Sequence, residues 1–237
     1  MTDKNDQKLR QYYAKTAHSY DASQLHKNDE HFNALMLLRG IIADKSYQSI
    51  LDVGSGTGRA LTYLKASYPN IHLMGIEPVE ELRKQALNKG LKSSEIICGD
   101  GYNLPLKDKS FDCVVAFGIL HHVEHPNQII SEMFRVASKA VFISDHNIYG
   151  WGNKYSRLSK QIIRKFFGFK LLKFFMTKGV GYHDTDYDGI FYPFSLFEHL
   201  PIIASHSKQM YLVSTKGIPI HLYSQASHLA VASLLED

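Results

Sequence analysis

Residues 51–58 combine an apolar strand end, an acidic side chain and three alternating glycines, and a helical pattern follows over residues 59–65. Glycine takes backbone angles that are closed to other residues, so Gly54 and Gly56 let a ligand approach the main chain. The free N–H groups at the start of the helix add hydrogen-bond donors. The Asp52 carboxylate would repel a pyrophosphate and attract a cationic amino-acid group. The stretch therefore predicts a loop that holds a polar cofactor.

Two cofactor classes compete for this loop. A dinucleotide-binding loop has the pattern G-x-G-x-x-G, whereas here Gly58 comes one residue early and Arg59 occupies the dinucleotide position. The pattern Asp52-x-Gly54-x-Gly56-x-Gly58 resembles motif I of the class I S-adenosylmethionine-dependent methyltransferases. The resemblance implies S-adenosyl-L-methionine as the cofactor. It also implies an α/β, Rossmann-like fold with a mostly parallel seven-stranded sheet, helices on both faces and a closing antiparallel strand.

Acidic residues follow the next two apolar runs. Glu77 comes after residues 71–76, and a carboxylate about twenty residues beyond such a loop can accept hydrogen bonds from both ribose hydroxyls. The alternative is a solvated acid that opens the next helix, for which Pro78 suits the first turn. Asp100 comes after residues 95–98, where the family resemblance implies an acid that receives the adenine amino group. The resemblance implies further cofactor contacts from Tyr20, Ser55, Pro78, Gly101, Phe117 and Gly118.

Three histidines are candidates for catalysis on the methyl acceptor. His121 and His122 leave the apolar run 111–117 at its carboxyl end, and His146 follows the next strand-like run. Open α/β sheets bind their ligands at this edge. Imidazole titrates near neutrality, so these histidines could remove a proton from a hydroxyl or an acidic carbon. Relatives also use this stretch simply to pack against the cofactor, while Asp145 is a further candidate for acceptor contact or a cap for the following segment.

The spacing of His121 and His125, four residues apart with Glu124 between them, could also suit a metal ion. However, Pro126 follows directly, no long helix supports the spacing, and the H-E-x-x-H order is absent. The sequence therefore predicts no metal site.

Residues 151–183 contain eight Lys or Arg residues and no Asp or Glu. On a helix that starts near residue 155, one face carries the apolar residues Leu158, Ile162, Ile163, Phe166 and Phe169. The opposite face carries Arg157, Lys160 and Arg164. Gly168 breaks this phase and predicts a kink or a second helix.

Four roles are open for this basic amphipathic helix. The favoured pair is a helix that covers the sheet with a solvated basic side, or a lid whose cations hold an anionic acceptor. Peripheral contact with an anionic membrane comes next, because the apolar face must cover something. A nucleic-acid patch is the remaining role, which the mild net charge of +4 does not favour.

The overall pattern predicts one α/β domain with additions. Residues 1–45 form an N-terminal helical cap, and residues 46–237 form the methyltransferase domain that the resemblance implies, with an inserted basic helical lid over about residues 151–205. The tyrosines of residues 12–20 either close over the cofactor, as in similar enzymes, or only pack this cap on the domain. Residues 181–189 predict a loop, whose aspartates are too irregularly spaced for a calcium site.

The composition is that of an ordinary globular protein, with 237 residues, 44% hydrophobic and 21% charged. Cys98 and Cys113 lie in apolar runs without a C-x-x-C partner, which predicts buried free thiols in a reducing compartment. The amino terminus lacks the apolar segment of a signal peptide, and no apolar stretch is long enough to span a bilayer. The expectation is a cytoplasmic monomer or homodimer.

The spacing of residues 104–106 and 110–112 resembles that of the small-molecule, type 11-like subgroup, so the resemblance implies an S-adenosylmethionine-dependent methyltransferase of this subgroup. Its acceptor would be a metabolite, sugar or natural-product intermediate, and no nucleic-acid partner is expected. Within the class, the alternative is a lipid or quinone-like acceptor at the membrane surface. Two alternatives lie outside the methyltransferases. One is a nicotinamide oxidoreductase, which the glycine spacing and Asp52 disfavour. The other is a non-catalytic cofactor-binding module, which an acceptor pocket would disfavour.

Overall fold

A seven-stranded sheet forms the centre of the protein. The computed structural model describes residues 4–24 and 29–236, and the sheet consists of β1 (Ser49–Val53), β2 (His72–Ile76), β3 (Ile96–Ile97), β4 (Phe111–Phe117), β5 (Ala137–His146), β8 (Gln209–Ser214) and β9 (His228–Leu234). Two further strands, β6 (His183–Thr185) and β7 (Gly189–Phe191), pair as a separate antiparallel hairpin. The sheet order is β3-β2-β1-β4-β5-β9-β8. Strand β9 runs antiparallel to both neighbours, and the other pairs are parallel, which confirms the predicted fold class.

Helices lie on both faces of this sheet. In the part of the chain that the structure describes, they are α1 (Lys4–Thr16), α2 (Tyr20–Gln24), α3 (Glu30–Lys45), α4 (Arg59–Ser67), α5 (Glu80–Asn88), α6 (Pro126–Val136), α7 (Lys154–Met176), α8 (Leu200–His206) and α9 (Leu222–Gln225). One core packs α3, α4 and α5 against the sheet, and the other packs α6 and α8. On β1, for example, Ile50 enters the first core and Leu51 the second. Because both faces are buried, the strands read as continuous apolar runs rather than alternating ones.

The N-terminal helices pack over the carboxyl edge of the parallel strands. Helix α1 contacts both α5 and β7. Its Leu9 joins a small core with Ile190 and Tyr192, and Ala17 packs against Val79, just beyond the end of β2. Residues 1–3 and 25–28 of the predicted N-terminal helical cap lie outside the described residues.

Helix α7 corrects the sequence prediction about which of its faces is covered. Of the five apolar residues on the predicted face, Leu158, Ile162 and Phe166 are 52%, 46% and 69% exposed, whereas Ile163 and Phe169 pack against the protein. The basic face points inward instead, because Lys160 is 7% exposed and its Nζ donates to two backbone carbonyl oxygens. The kink predicted at Gly168 is present, since φ there is 82° and ψ is 168°.

Two smaller predictions also need correction. Cys98 is exposed rather than buried, because β3 is only two residues long and Cys98 falls just beyond it at the sheet edge. Cys113 is buried, as predicted. Residues 181–189, predicted to be a loop, include β6 and the start of β7, and the hairpin is held where Ile190 packs on α1.

Candidate active site

Two adjoining cavities of about 370 Å³ and 140 Å³ lie at the carboxyl edge of the parallel strands. The residues that line both cavities are Tyr13, Tyr20, Gly54, Gly56, Phe117, Gly118 and His122. The larger cavity adds Asp52, Ser55, His121 and His146. The smaller cavity adds Glu77, Pro78, Asp100 and Gly101. The fold thus brings every site residue named from the sequence to one edge of the sheet.

The glycine loop after β1 requires its glycines for different reasons. Gly54, Gly56 and Gly58 all have positive φ, at 71°, 54° and 75°. A Cβ at Gly54 would lie 2.6 Å from Ile119 Cγ2, and a Cβ at Gly58 would lie 2.5 Å from Leu91 Cδ1. A Cβ at Gly56 would meet no atom within 4 Å. Gly54 and Gly58 therefore permit tight packing, while the main chain at Gly56 faces open space.

Hydrogen bonds to the end of β2 hold this loop in place. The Ser55 N–H donates to the Ile76 carbonyl oxygen at 3.1 Å. Glu77 accepts hydrogen bonds from the Gly56 N–H at Oε2 and from the Val79 N–H at Oε1, both at 2.9 Å. Glu77 is therefore both a cavity-lining acid and the link between the loop and β2.

Two buried carboxylates make this part of the site electrostatically unusual. Burial, together with the nearby charge of Glu77, raises the pKa of Asp52 to about 8. Burial also raises the pKa of Glu77, although the hydrogen bonds from Val79 and Gly56 oppose that rise. Among the described residues, no hydrogen bond to the Asp52 carboxylate is present. A cationic ligand beside Asp52 would favour its ionised form.

At the smaller cavity, Asp100 is already engaged by protein groups. Its carboxylate pairs with Arg10 of α1 and accepts a hydrogen bond from the Tyr102 N–H at 2.9 Å. Tyr20 is partly buried and lines both cavities, with its ring 5.8 Å from that of Tyr13, and desolvation raises the pKa of its hydroxyl. Helix α1 is therefore tied directly to the cavity wall.

A polar network that the sequence analysis missed ties α2 to the glycine loop. Asp21 accepts a hydrogen bond from Thr57 Oγ1 at 2.6 Å and pairs with Lys89. Lys89 Nζ also donates to Thr57 Oγ1 at 2.8 Å. These three residues lie far apart in the chain, and Thr57 stands between two glycines with nothing to mark it as a contact point.

His121 and Asp145 form a buried pair on the wall of the larger cavity. His121 Nδ1 is 2.7 Å from Asp145 Oδ1, and the carboxylate also accepts the N–H groups of Leu120 at 2.8 Å and His146 at 2.7 Å. Burial acts to lower the pKa of His121, but Asp145 raises it by more, so the net pKa lies above its ordinary value. Burial acts to raise the pKa of Asp145, but His121 and the hydrogen bonds hold it at about 2. The arrangement favours an imidazole with Nδ1–H toward Asp145 and Nε2 free to accept a proton.

His122 is held differently from its neighbour. Its Nδ1 donates to the Ile190 carbonyl oxygen at 2.7 Å, so its Nε2 accepts the Tyr13 hydroxyl at 2.9 Å. Burial and the charge of His121 lower the pKa of His122 to about 3. His122 is therefore a neutral link between α1 and β7, with both ring nitrogens engaged.

His146 belongs to an aromatic cluster beside the pair. Its ring stacks on that of His121 at 3.9 Å and meets the edges of Trp151 at 4.8 Å and His228 at 4.6 Å. Burial, followed by the charge of His121, lowers the pKa of His146 well below its ordinary value. His31 also lines the larger cavity. It packs closely against Gly118, where a Cβ would lie 2.6 Å from its Nε2. No local sequence signal pointed to His31 or His228.

Asp188, at the tip of the β6–β7 hairpin, is a further cavity-lining residue that the sequence analysis missed. Its Oδ2 is 3.9 Å from His121 Nε2 and its Oδ1 is 3.6 Å from His122 Nε2, both longer than hydrogen bonds. Ligand-type atoms of the three residues lie within 4.8 Å of one another. This donor set has the composition of a cation site, although the sequence predicted none, and it could equally serve proton transfer.

The central part of the chain is similar in sequence to known proteins. Residues 51–143 match a protein-family model described as a methyltransferase domain. Demethylmenaquinone methyltransferase of Thermotoga maritima is 32% identical over 100 residues, which cover 42% of this chain and 43% of that protein. Probable tRNA methyltransferase 9B of Mus musculus is 32% identical over 130 residues, which cover 52% of this chain and 27% of that protein. The chain therefore spans less than half the length of these curated relatives.

The whole fold is similar to that of a solved S-adenosylmethionine-dependent methyltransferase from Thermotoga maritima. The TM-score is 0.61 at 16% identity, over 96% of this chain and 100% of that one. The sheet order agrees with this similarity, and the matched domain spans the glycine loop, Glu77, Asp100 and His121. Residues 51–143 therefore match a methyltransferase domain in sequence, and the chain has the fold of the class I S-adenosylmethionine-dependent methyltransferases.

Proposed function

We propose that this protein transfers a methyl group from S-adenosylmethionine to a small-molecule acceptor. In this proposal the smaller cavity and the glycine loop hold the cofactor, and the rest of the larger cavity holds the acceptor. The observation that carries the proposal is the His121–Asp145 pair, which places a buried base on the wall of the cavity that the glycine loop also lines. A module that only bound the cofactor would have no need of such a base.

The residues of the glycine loop fit the amino-acid end of the cofactor. Burial raises the pKa of Asp52 to about 8, and the ammonium group of the cofactor would lower that pKa by pairing with the carboxylate. The main chain at Gly56 faces open space. Each of these features is explained by a polar ligand at the loop.

The acids of the smaller cavity fit the nucleoside end. Glu77 accepts two backbone hydrogen bonds, but a carboxylate offers about four acceptor positions, which leaves capacity for ribose hydroxyls. Asp100 would receive the adenine amino group, as the family resemblance implies, while it also pairs with Arg10.

The chain's own residues would position the acceptor and take its proton. When bound, the cofactor supplies a methyl group activated by its positively charged sulfur, so orientation and exclusion of water provide much of the rate enhancement. His121 Nε2 would accept the proton of an acceptor hydroxyl or acidic carbon, while Asp145 holds Nδ1–H and stabilises the imidazolium that forms. Tyr13 and Asp188 would close the cavity over the reacting groups.

The character of the acceptor follows from the cavity wall. A volume of about 370 Å³ suits a small molecule, and Trp151, Tyr187 and Phe191 offer aromatic surface for a ring or another apolar group. A lipid or quinone-like acceptor is the second candidate, favoured by the exposed apolar face of α7, which begins three residues after Trp151.

The test is methyl transfer from labelled S-adenosylmethionine to a panel of small phenols, sugars, carbon acids and quinols. We expect His121→Gln to lower the rate on an accepted compound by about 10²–10⁴, with S-adenosylhomocysteine binding unchanged. His72→Ala, at the start of β2 on the opposite edge of the sheet, is the matched control and should keep full activity. Equal rates for wild type and His121→Gln would refute the assigned base. Cofactor binding with no transfer to any panel member would favour the non-catalytic module.

A further inference from the structure

Helix α7 presents an apolar surface that no other part of the described chain covers. Between residues 155 and 180, the exposed large apolar side chains are Tyr155, Leu158, Ile162, Phe166, Phe167, Phe174, Phe175 and Val180. These eight are half of the sixteen exposed large apolar side chains among the described residues. We refer to them as the α7 apolar surface.

The first segment of α7 arranges this surface as a stripe. At 3.6 residues per turn, Tyr155, Leu158, Ile162 and Phe166 fall within about 80° of one another around the helix axis. The second segment continues after Gly168, where Phe174 and Phe175 are 55% and 58% exposed. The surface therefore runs along both segments of the helix.

The inward side of the helix is fully engaged: Ile163, Phe169 and Leu172 lie in a small core with Ile148 and Tyr149, and two cationic side chains make polar contacts. Lys160 Nζ donates to the carbonyl oxygens of Ile148 at 2.6 Å and Trp151 at 2.7 Å. Arg164 pairs with Glu198 at 2.7 Å. These contacts fix the rotation of the helix and hold its apolar stripe outward.

The charges beside the stripe are all of one sign. Eight Lys or Arg residues and no Asp or Glu lie between residues 151 and 183. Lys154 and Lys165 lie about 60–80° around the helix from the centre of the stripe, and Lys170 and Lys178 are exposed farther along. Such lysines can extend their apolar stems along the surface while their ammonium groups reach an anionic layer.

We propose that the α7 apolar surface docks on an anionic lipid bilayer, with α7 lying in the plane of the interface. An outward apolar stripe flanked by cations is the pattern of a helix that sits among lipid headgroups. No helix of the described residues is long and apolar enough to cross a membrane, so docking would be peripheral. A second copy of the chain is a poor occupant, because two such surfaces would bring like charges together. Nucleic acid would engage the lysines but leave the aliphatic and aromatic stripe exposed to water.

Docking through α7 would place the larger cavity close to the bilayer. Trp151, which lines that cavity, precedes α7 by three residues, and its carbonyl oxygen is bonded to Lys160. An acceptor dissolved in the membrane would then have a short route to His121. The docking itself needs no methyl transfer, so it is testable independently of the proposed function.

The experiment is sedimentation of the full chain with vesicles of phosphatidylcholine alone and of phosphatidylcholine with phosphatidylglycerol. We expect binding to the anionic vesicles that falls with added salt. Phe166→Ser/Phe174→Ser should weaken it by roughly a hundredfold, since each buried phenyl ring contributes at least about tenfold. Lys165→Gln/Lys170→Gln should weaken it by roughly twenty-fold, at about fivefold for each cation near the surface.

Matched controls separate docking from general effects on solubility. Met36→Ser/Leu87→Ser removes exposed apolar side chains from α3 and α5, and Lys92→Gln/Lys107→Gln removes exposed cations elsewhere. Both should bind vesicles as the wild type does. Wild-type protein that stays in the supernatant with anionic vesicles would overturn the proposal, as would equal binding by the phenylalanine variant. A dimer abolished by that variant, or RNA binding abolished by the lysine variant without vesicle binding, would assign the surface to another partner.

Discussion

Replacing Asp145 by Asn tests how the structure sets the basicity of His121. The substitution keeps the shape of the side chain but removes the charge that faces Nδ1 at 2.7 Å. A hydrogen bond to a charged group contributes roughly 1.5–3 kcal/mol, which corresponds to a decrease of about 1–2 in the pKa of His121. Because burial still lowers that pKa, we expect it to fall from above its ordinary value of 6.5 to below it.

The assay is titration of the histidine ring resonances by NMR, with His121 assigned by the signal lost in His121→Gln. Asp188→Asn is the comparison variant, since its carboxylate oxygen lies 3.9 Å from His121 Nε2 and should have a smaller effect in the same direction. Asparagine has one acceptor oxygen where Asp145 uses two, so a loss of about 1–3 kcal/mol in unfolding free energy should accompany the change. A His121 pKa that stays the same or rises in Asp145→Asn would refute the reasoning.

Three further predictions concern the loop, the histidines and the cation-type cluster. Gly58→Ala should lower the free energy of unfolding by about 2–4 kcal/mol, because φ at Gly58 is positive and the new Cβ would clash with Leu91. Gly90→Ala, where a Cβ meets open space, should lower the free energy of unfolding by only about 1–2 kcal/mol. Urea unfolding measures both changes. The pKa values of His122 and His146 are lower folded than unfolded, so the unfolded chain binds more protons as the pH falls below about 6.5. Their contribution to stability should therefore decrease from pH 6.5 toward pH 3, whereas the raised pKa values of Asp52 and Glu77 act in the opposite direction. A urea midpoint with the same pH dependence in His122→Asn as in the wild type would contradict the assignment of His122. Methyl transfer should survive dialysis against a chelator if His121 acts as a base, whereas activity that is lost and restored by a divalent cation would assign the cluster to a cation.

The parts of the structure that the sequence predicts well are those encoded locally. The glycine loop, the strand that precedes it and the acid at Glu77 lie within one βαβ unit, so their spacing alone fixes how they meet. His121 could be named because the carboxyl ends of neighbouring parallel strands share one edge. The predicted sheet followed from apolar runs whose continuity reflects burial on both faces.

The parts that the sequence does not predict depend on contacts between distant segments. His31 and His228 reach the same cavity wall from opposite ends of the chain, and each is an isolated residue in its own segment. Asp188 reaches the cavity only because the β6–β7 hairpin packs against α1, which is a contact between distant segments. For α7, periodicity placed five apolar residues on one face, but Leu158, Ile162 and Phe166 are exposed while the other two pack against the protein. The pattern carried no information on which face the protein would cover. The buried Lys160 holds its own side of the helix inward by donating to two backbone carbonyl oxygens, and no sequence pattern indicates those contacts.

The central claim is that the two cavities bind S-adenosylmethionine rather than a dinucleotide. Calorimetric titration with S-adenosylhomocysteine and, in parallel, with NAD tests it most directly, on the wild type, Asp52→Asn, Glu77→Ala and the exposed control Glu80→Gln. We predict binding of S-adenosylhomocysteine only, unchanged in Glu80→Gln and weakened by roughly tenfold to a hundredfold in each of the other two variants. Binding of NAD, or full affinity for S-adenosylhomocysteine in both Asp52→Asn and Glu77→Ala, would contradict the account.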